Sequence, residues 1–489
     1  MSTLRDRERW IALYVLCTGM LMIVLDTTVV NVALPSIQDD LGFSNSSLAW
    51  VVNAYLITFG GLLLLAGRLG DLLGRRTMFL SGLAVFTTAS LACGLAHSQA
   101  VLVAARFVQG VGGAMTSAVI LGMIVTMFTE PREQAKAIGV FAFVASAGGA
   151  VGLLVGGVLT ESIDWHWIFF VNVPIGVATA MAARRLIERD PGVGIGSGTD
   201  LPGALLCTAA LMLAVFTIVK PAAEDGWTAG STRAFGAAAA VLLAAFVARE
   251  ASARNPLMPL RILRSRNVVG SNLIQIVGAA GMFGIFFLGA LYLQRVLGYG
   301  PLAIGLSFLP VCVLMGTLSV RYCDVLVSRF GARRTMIPGL VLIMLGLTLF
   351  SRAPVDGEYL TNVLPPMVLL GVGAGISFPA LMTLAMSAAT PEDAGLTSGL
   401  VNTTAQVGGA LGLAVLATLS AGRTGTLTAQ GHSAAAALTG GYHLAFLVAA
   451  ALILAAIAIA LTVLRAPAPN DENAAAVLPD ESELPALLT

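Results

Sequence analysis

Long apolar stretches, separated by short breaks of glycine, proline or charged residues, recur along almost the whole chain. Each stretch is about 20 residues long, the length that an α-helix needs to cross the hydrocarbon core of a bilayer. We therefore predict an all-α membrane protein with fourteen transmembrane helices. The predicted spans are 10–32, 48–67, 77–96, 101–122, 136–158, 167–185, 201–219, 233–249, 268–294, 302–322, 334–351, 361–386, 395–419 and 441–464.

Amino-acid composition agrees with lipid as the main solvent of the chain. Of the 489 residues, 57% are hydrophobic and 11% are charged, whereas soluble domains carry about 25% charged residues. A formal net charge of +1 gives no field that would attract nucleic acid. The cysteines and histidines lack the spacing of a metal site. We therefore expect no metal, no cofactor and no nucleic-acid partner.

The positions of Lys and Arg predict the orientation. With a cytoplasmic N-terminus, most basic residues fall in cytoplasmic loops, as the positive-inside rule requires. The exceptions are Lys220, Arg233, Arg295, Arg352 and Arg423 on the outer side and Arg106 within a span. An even number of spans returns the tail at 466–489 to the cytoplasm, where its composition predicts disorder. The excess of Arg over Lys and the abundant Ala and Gly are typical of a GC-rich bacterium, so we expect the bacterial cytoplasmic (inner) membrane.

The chain also matches itself at a nearly constant offset. The offset drifts from 256 residues at Leu41 and Leu297 to 261 residues at Gly110 and Gly371. The matched pairs are Leu41–Phe43 with Leu297–Tyr299, Arg75–Met78 with Arg333–Met336, Gly110–Gly112 with Gly371–Gly373, Pro131 with Pro391, and Gly148–Leu153 with Gly408–Leu413. This order predicts two parallel six-helix halves, 1–190 and 256–465, with two inserted helices and their linkers at 191–255. Such halves suit a transporter that opens alternately to each side.

Four motifs lie in the predicted first half. They read LDTTVVNVALP at 25–35, GRLGDLLGRR at 67–76, RFVQGVGG at 106–113 and WHWIFFVNVPIG at 165–176. Over roughly residues 10–465 the chain thereby resembles the major facilitator superfamily, specifically its fourteen-span drug:proton antiporters. The resemblance implies multidrug efflux driven by the proton gradient, with antibiotics, dyes or secondary metabolites as amphipathic substrates.

A glycine motif occupies the fifth predicted helix. Gly139, Gly148, Gly152, Gly156 and Gly157 stand at the spacing of the superfamily's antiporter motif. Glycines allow two helices to pack closely. The position at which that motif has proline is Leu153 here, which keeps a proton-coupled symporter importing a small metabolite open as an alternative.

Two ionisable residues lie inside predicted spans, Asp26 in the first and Arg106 in the fourth. A charge at such a depth costs roughly 2.5 to 3.5 kcal/mol on insertion scales, so it needs a reason. A carboxyl group can load and release a proton, whereas a guanidinium keeps its proton and can only bias a nearby acid. We predict that Asp26 and Arg106 couple transport to protons. The alternative for Asp26 is a carboxylate near a helix end that caps a neighbouring helix. The alternative for Arg106 is a buried arginine that binds backbone carbonyls and holds helix packing. Gln109 could take part in proton coupling or in that packing.

Two further groups are candidates. The resemblance implies a conformational latch at Arg68, Asp71, Arg75 and Arg132, although Arg75 also serves as a topology-setting charge. Candidate substrate-binding residues, mostly amides within spans, are Asn53, Tyr55, Gln109, Asn272, Gln275, Asn402 and Gln406. Hydrogen bonding between helices is an equally good explanation for the amides.

Other functional classes lack sequence support. The chain has neither a phosphate-binding loop nor a nucleophile elbow, so ATP hydrolysis and an enzymatic role are not predicted. A non-transporting receptor or an intramembrane enzyme remains the alternative of another class. We expect a monomer whose partners are a small amphipathic substrate, protons and the lipid bilayer.

Overall fold

The computed structural model describes residues 2–44, 47–128, 130–188, 192, 200–219, 221–253, 256, 265–386 and 394–464, and within these ranges all regular structure is helical. The helices are α1 Ser2–Leu41, α2 Ala49–Leu73, α3 Arg75–Gly94, α4 Gln99–Met127, α5 Pro131–Ser162, α6 Trp167–Phe170, α7 Asn172–Leu186, α8 Leu201–Val219, α9 Pro221–Glu224, α10 Gly230–Ser252, α11 Arg266–Arg295, α12 Pro301–Arg321, α13 Cys323–Phe330, α14 Ala332–Phe350, α15 Leu364–Met386, α16 Ala394–Ala429 and α17 Ala434–Thr462. A π-helical turn at Tyr359–Val363 leads into α15. The predicted tail at 466–489 lies outside the described residues.

Apolar helices dominate the molecule. Eleven helices in the described part are long and apolar enough to cross a membrane. Shorter apolar stretches, Ala49–Leu63, Val151–Ser162 and Leu205–Ile218, lie within α2, α5 and α8. The prediction of an all-helical membrane protein is confirmed, whereas the number fourteen stays a prediction.

Several helices are longer than the predicted spans. The first helix begins at Ser2 and ends at Leu41, well beyond the predicted 10–32. Hydropathy marks only the part that needs lipid, whereas backbone hydrogen bonds carry the helix past the apolar stretch.

The predicted span 167–185 corresponds to one apolar stretch, Trp167–Leu186, within which regular helical hydrogen bonding is broken only at Val171, between α6 and α7. Pro174 has no N–H to donate to the carbonyl one turn earlier, and its ring crowds that turn. The Phe169 carbonyl in α6 accepts a hydrogen bond of 2.9 Å from the Ser90 hydroxyl. This bond ties the segment to α3.

Two sets of helices pack in the same pattern. In the first set, α1 packs on α5 and α7, α4 packs on α2 and α3, and α3 packs on α7. In the second set, α11 packs on α16 and α17, α15 packs on α12 and α14, and α14 packs on α17. The sets meet where α5 packs on α12, where α2 packs on α16, and where α1 contacts α11.

The remaining long helices, α8 and α10, pack against each other. Helix α8 also contacts α2 of the first set and α16 of the second. At one end of this pair, Arg249 Nε donates to Asp200 Oδ1 at 3.0 Å. The pair therefore covers the line along which α2 and α16 meet.

Candidate functional site

An ion pair between Asp26 of α1 and Arg106 of α4 lies in the interior of the first set. Arg106 Nη1 donates to Asp26 Oδ2 at 2.5 Å, and Arg106 Nε donates to the Val51 carbonyl of α2 at 2.9 Å. Both side chains are at most 1% exposed. Because a buried charge needs both a counter-charge and hydrogen bonds, this pairing explains how each residue is tolerated.

Gln109, one turn after Arg106, bridges the two charges. Its Oε1 accepts from Arg106 Nη1 at 2.7 Å, and its Nε2 donates to Asp26 Oδ1 at 2.7 Å. The amide thus gives its oxygen to the cation and its nitrogen to the anion. A change in the charge of the Asp26 carboxylate therefore directly affects the hydrogen bond that it accepts from Gln109.

Two neutral residues complete the network. Ser90 of α3 accepts from Gln109 Nε2 at 3.2 Å and from Asn172 Nδ2 of α7 at 3.0 Å. Asn172 Nδ2 also lies 3.4 Å from Asp26 Oδ1. The carboxylate of Asp26 is therefore linked by hydrogen bonds to α3, α4 and α7.

Sequence reasoning did not select Ser90 or Asn172 as site residues. A serine within a span is common, and only the packing of α3 on α4 and α7 brings it to Gln109. Asn172 stands inside the motif at 165–176, and an amide within a predicted span, two residues before a proline, was the available signal.

Aromatic rings cover the cation. The Arg106 guanidinium carbon lies 4.5 Å from the centre of the Tyr55 ring and 5.8 Å from that of Phe169. Cation–π contacts of this kind strengthen when water is excluded. Tyr55, a predicted substrate ligand, thus contacts Arg106 through its face.

The glycine motif of α5 contacts two different helices. A methyl group at Gly152 would lie 1.9 Å from Thr28 Oγ1 of α1, two residues after Asp26. A methyl group at Gly157 would lie 2.8 Å from the Cα of Leu302 in α12. Gly148 and Gly156 face α1 as well, and Gly139 lies among the residues whose surroundings are not described. Helix α5 thus connects the helix of Asp26 to the second set.

Polar contacts join the two sets at one end of the bundle. This distal end is the end opposite the N-terminus, where α1 ends at Leu41 and where loops 163–166 and 296–300 lie. Arg295 of α11 pairs with Asp39 of α1 and contacts Gln38. Glu161 of α5 accepts from the Leu302 N–H of α12 at 2.9 Å. These contacts tie α1 to α11 and α5 to α12 at the distal end.

Of the predicted latch residues, Arg75 is the one whose contacts are described. Its Nη1 donates to the Gly122 carbonyl of α4 at 3.0 Å, which joins the start of α3 to the end of α4. The side chains of Arg68, Asp71 and Arg132 lie outside the described part. The predicted latch therefore stays a prediction.

The predicted substrate amides are dispersed. Asn272 of α11 accepts from Thr404 of α16 at 2.8 Å and is thus used in helix packing. Asn53 is fully buried on α2, and within the described structure neither atom of its amide has a partner. Gln275 and Gln406 are partly buried, and Asn402 is exposed.

Sequence comparisons add an independent observation. A model of the Major Facilitator Superfamily matches residues 16–413. The chain is 38% identical over 482 residues to a puromycin resistance protein of Streptomyces alboniger, covering 97% of this chain and 95% of that protein. It is 40% identical over 415 residues to a cephamycin export protein of Amycolatopsis lactamdurans, covering 84% and 85% of the two chains.

A solved structure has a similar fold. It is that of a bacterial homologue of the human lysosomal transporter Spinster, described as inward-facing and unoccupied. The TM-score is 0.67 at 16% sequence identity, and the match covers 94% of this chain and 99% of the other. At such low identity the likeness concerns the helical fold.

Proposed function

This chain belongs to the major facilitator superfamily, and from that premise we propose that it exports amphipathic, drug-like molecules in exchange for protons. Relatives that match it over most of their length are named for puromycin resistance and cephamycin export. The observation that carries proton coupling is the buried pair of Asp26 and Arg106. Of this pair, the carboxyl group is the one that can gain and lose a proton, because the guanidinium keeps its own, and a charge at this depth needs a functional reason.

The proposed arrangement has fourteen spans in the bacterial cytoplasmic membrane, with both termini in the cytoplasm. The first and second sets of helices are the two halves, and α8 and α10 are the insert. In this orientation the distal end faces outward, and the contacts of Arg295 and Glu161 close the outer side. The halves rock to expose the interior to each side in turn.

Protonation of Asp26 is the proposed coupling step. A proton that enters from outside binds a carboxylate oxygen of Asp26 and removes its negative charge. The ion pair with Arg106 is then lost, and the guanidinium keeps its bonds to the Val51 carbonyl and to Gln109. Release of the proton to the cytoplasm restores the pair.

The glycine motif offers a route from this step to the second half. Asp26 and Thr28 lie on the same stretch of α1, and Thr28 packs directly on Gly152 of α5. Gly157, five residues further along α5, packs on α12. A small movement of α1 is therefore passed to the seam between the halves, because close-packed interfaces transmit displacement.

A transport assay on Asp26→Asn tests the coupling. A growth screen in an efflux-deficient host, using puromycin, a cephamycin and cationic dyes, first identifies a transported compound. In inside-out vesicles, Asp26→Asn should then lose uptake driven by the proton gradient but keep exchange of substrate for substrate. Asn cannot bind the proton, but it preserves the shape of the side chain.

The control is Asp225→Asn, which removes an exposed acid that hydrogen bonds Ser231 outside the long helices. It should transport as the wild type does. Full proton-driven transport by Asp26→Asn would contradict the coupling role. Accumulation of the compound in right-side-out vesicles with an inward proton gradient would instead indicate the importing symporter.

A further inference from the structure

Three helices meet at a pair of glycines in the middle of α2. A methyl group at Gly60 would lie 2.6 Å from the Cβ of Gln406 in α16. A methyl group at Gly61 would lie 3.0 Å from Thr208 Oγ1 in α8. The absence of two side chains therefore lets the insert and the second half approach α2 at the same level. We call this place the diglycine junction.

Hydrogen-bonding atoms at the diglycine junction lack partners. They are Thr208 Oγ1 of α8, and Thr403 Oγ1 and Gln406 Oε1 of α16, none of which bonds to any described residue. Both threonines are more than nine-tenths buried. By contrast, Thr217 of the same helix α8 donates to the Leu213 carbonyl at 2.6 Å, the usual solution for a threonine in a helix.

The two residues of α16 share one side of their helix. Thr403 and Gln406 are three positions apart, so they are neighbours on the helix surface. Fifteen residues after Thr403, Thr418 donates to the Ile218 carbonyl of α8 at 3.3 Å, which shows that α16 runs along the insert. The unpartnered atoms of α8 and α16 therefore belong to one interface.

Such an arrangement opposes stability. A buried polar atom without a hydrogen bond loses the water that it would bind in the open, and a low dielectric raises that penalty. Valine would fill each threonine position with a similar shape at no such penalty. The retention of three unpartnered polar groups at one junction indicates that they bind something at another stage of the cycle.

We propose that the diglycine junction is a subsite for an uncharged hydroxyl or amide group of the exported molecule, with Thr208 of the insert as one ligand. The inference rests on the proposed export function and specifies the substrate chemistry. Threonine hydroxyls donate and accept, and the glutamine oxygen accepts, so they match a group that does both. Because these ligands are neutral, they would not offset the cost of burying a charged group of the substrate at this depth. The bound group is therefore expected to be uncharged.

The subsite is closed in this structure and opens as the halves move. Helix α2 belongs to the first set and α16 to the second, so a change in their distance uncovers the polar atoms. The insert then contributes directly to recognition through α8, because its Thr208 stays beside α2 through Gly61.

The test compares two compounds in the efflux-deficient host. Puromycin carries hydroxyl and amide groups, and tetraphenylphosphonium carries no hydrogen-bonding group. Thr208→Val and Thr403→Val should each lower the inhibitory concentration of puromycin by about five-fold, the equivalent of one hydrogen bond. Protection against tetraphenylphosphonium should be unchanged. Thr217→Val, which removes a partnered hydroxyl from the same helix, should leave both values unchanged.

The melting temperature of each purified variant separates recognition from packing. Thr208→Val and Thr403→Val should melt at or above the wild-type temperature, because each removes an unpartnered polar atom. Equal loss of protection against both compounds, as a structural water or a packing role predicts, overturns the subsite, as does unchanged protection against puromycin. A wild-type protein that protects against no compound of the growth screen overturns the export function itself.

Discussion

Replacing Gly152 by alanine should push α1 away from α5. The added methyl group would lie 1.9 Å from Thr28 Oγ1 and 3.1 Å from its Cβ, far closer than the roughly 3.5 Å of an ordinary contact. Overpacking of this kind costs about 1–3 kcal/mol. A helical alanine gains about 1 kcal/mol over glycine, so the net destabilisation reaches about 2 kcal/mol.

Gly149→Ala is the matched control, since its methyl group would lie 3.9 Å from Thr28 Cγ2, an ordinary contact. The gain in helix propensity is common to both variants, so the difference of about 1–3 kcal/mol between them reports the contact alone. The measurements are melting temperature in detergent and proton-driven efflux. Thr28→Ala should rescue Gly152→Ala by removing the clashing oxygen. Identical melting and transport of the Gly149 and Gly152 variants would refute the reasoning.

Three further predictions concern the charged groups and the Ser90 hydroxyl beside them. Arg106→Gln should destabilise the protein by about 3–5 kcal/mol because it leaves Asp26 buried without its cation, and adding Asp26→Asn should recover most of that loss in thermal melts. Arg295→Asp should favour opening of the distal end by at most about five-fold, since exposed pairs contribute about 0–1 kcal/mol, and the swap with Asp39→Arg should restore closure in spin-label distances. Ser90→Ala removes the hydroxyl that accepts from Gln109 and Asn172, so it should slow proton-driven efflux by at least about five-fold, with substrate exchange unchanged in vesicles.

Hydropathy and the cost of buried charge carried most of the sequence reasoning. Apolar length alone predicted the helices, because no other backbone structure in a single chain of this composition satisfies its hydrogen bonds in lipid. The penalty for a charge in lipid singled out Asp26 and Arg106, and the structure places them in direct contact. Their roles in proton coupling stay a prediction.

Neutral residues were harder to predict. Ser90 and Asn172 gain their meaning from the packing of α3 and α7 around Asp26, which local sequence does not encode. The local break at Val171 between α6 and α7 does not show in an apolar window, which predicts the whole span but not its hydrogen bonds. Thr208 could not be selected from the sequence either, because its lack of a hydrogen-bond partner depends on the packing of three helices.

Because the two sets share a packing pattern, the positions in the second set that correspond to Asp26 and Arg106 show whether this packing needs an ion pair. At the offset of 261 residues, Arg106 corresponds to Met367, and at the offset of 256 residues, Asp26 corresponds to Met282. Both methionines are buried in the second set, where the helices pack as they do in the first. The same pattern of helix packing is therefore built with apolar residues at both positions. The architecture does not require the charges, and the first set carries a charged pair where the second set has two methionines, so the interiors of the two sets differ in chemistry although their packing is alike.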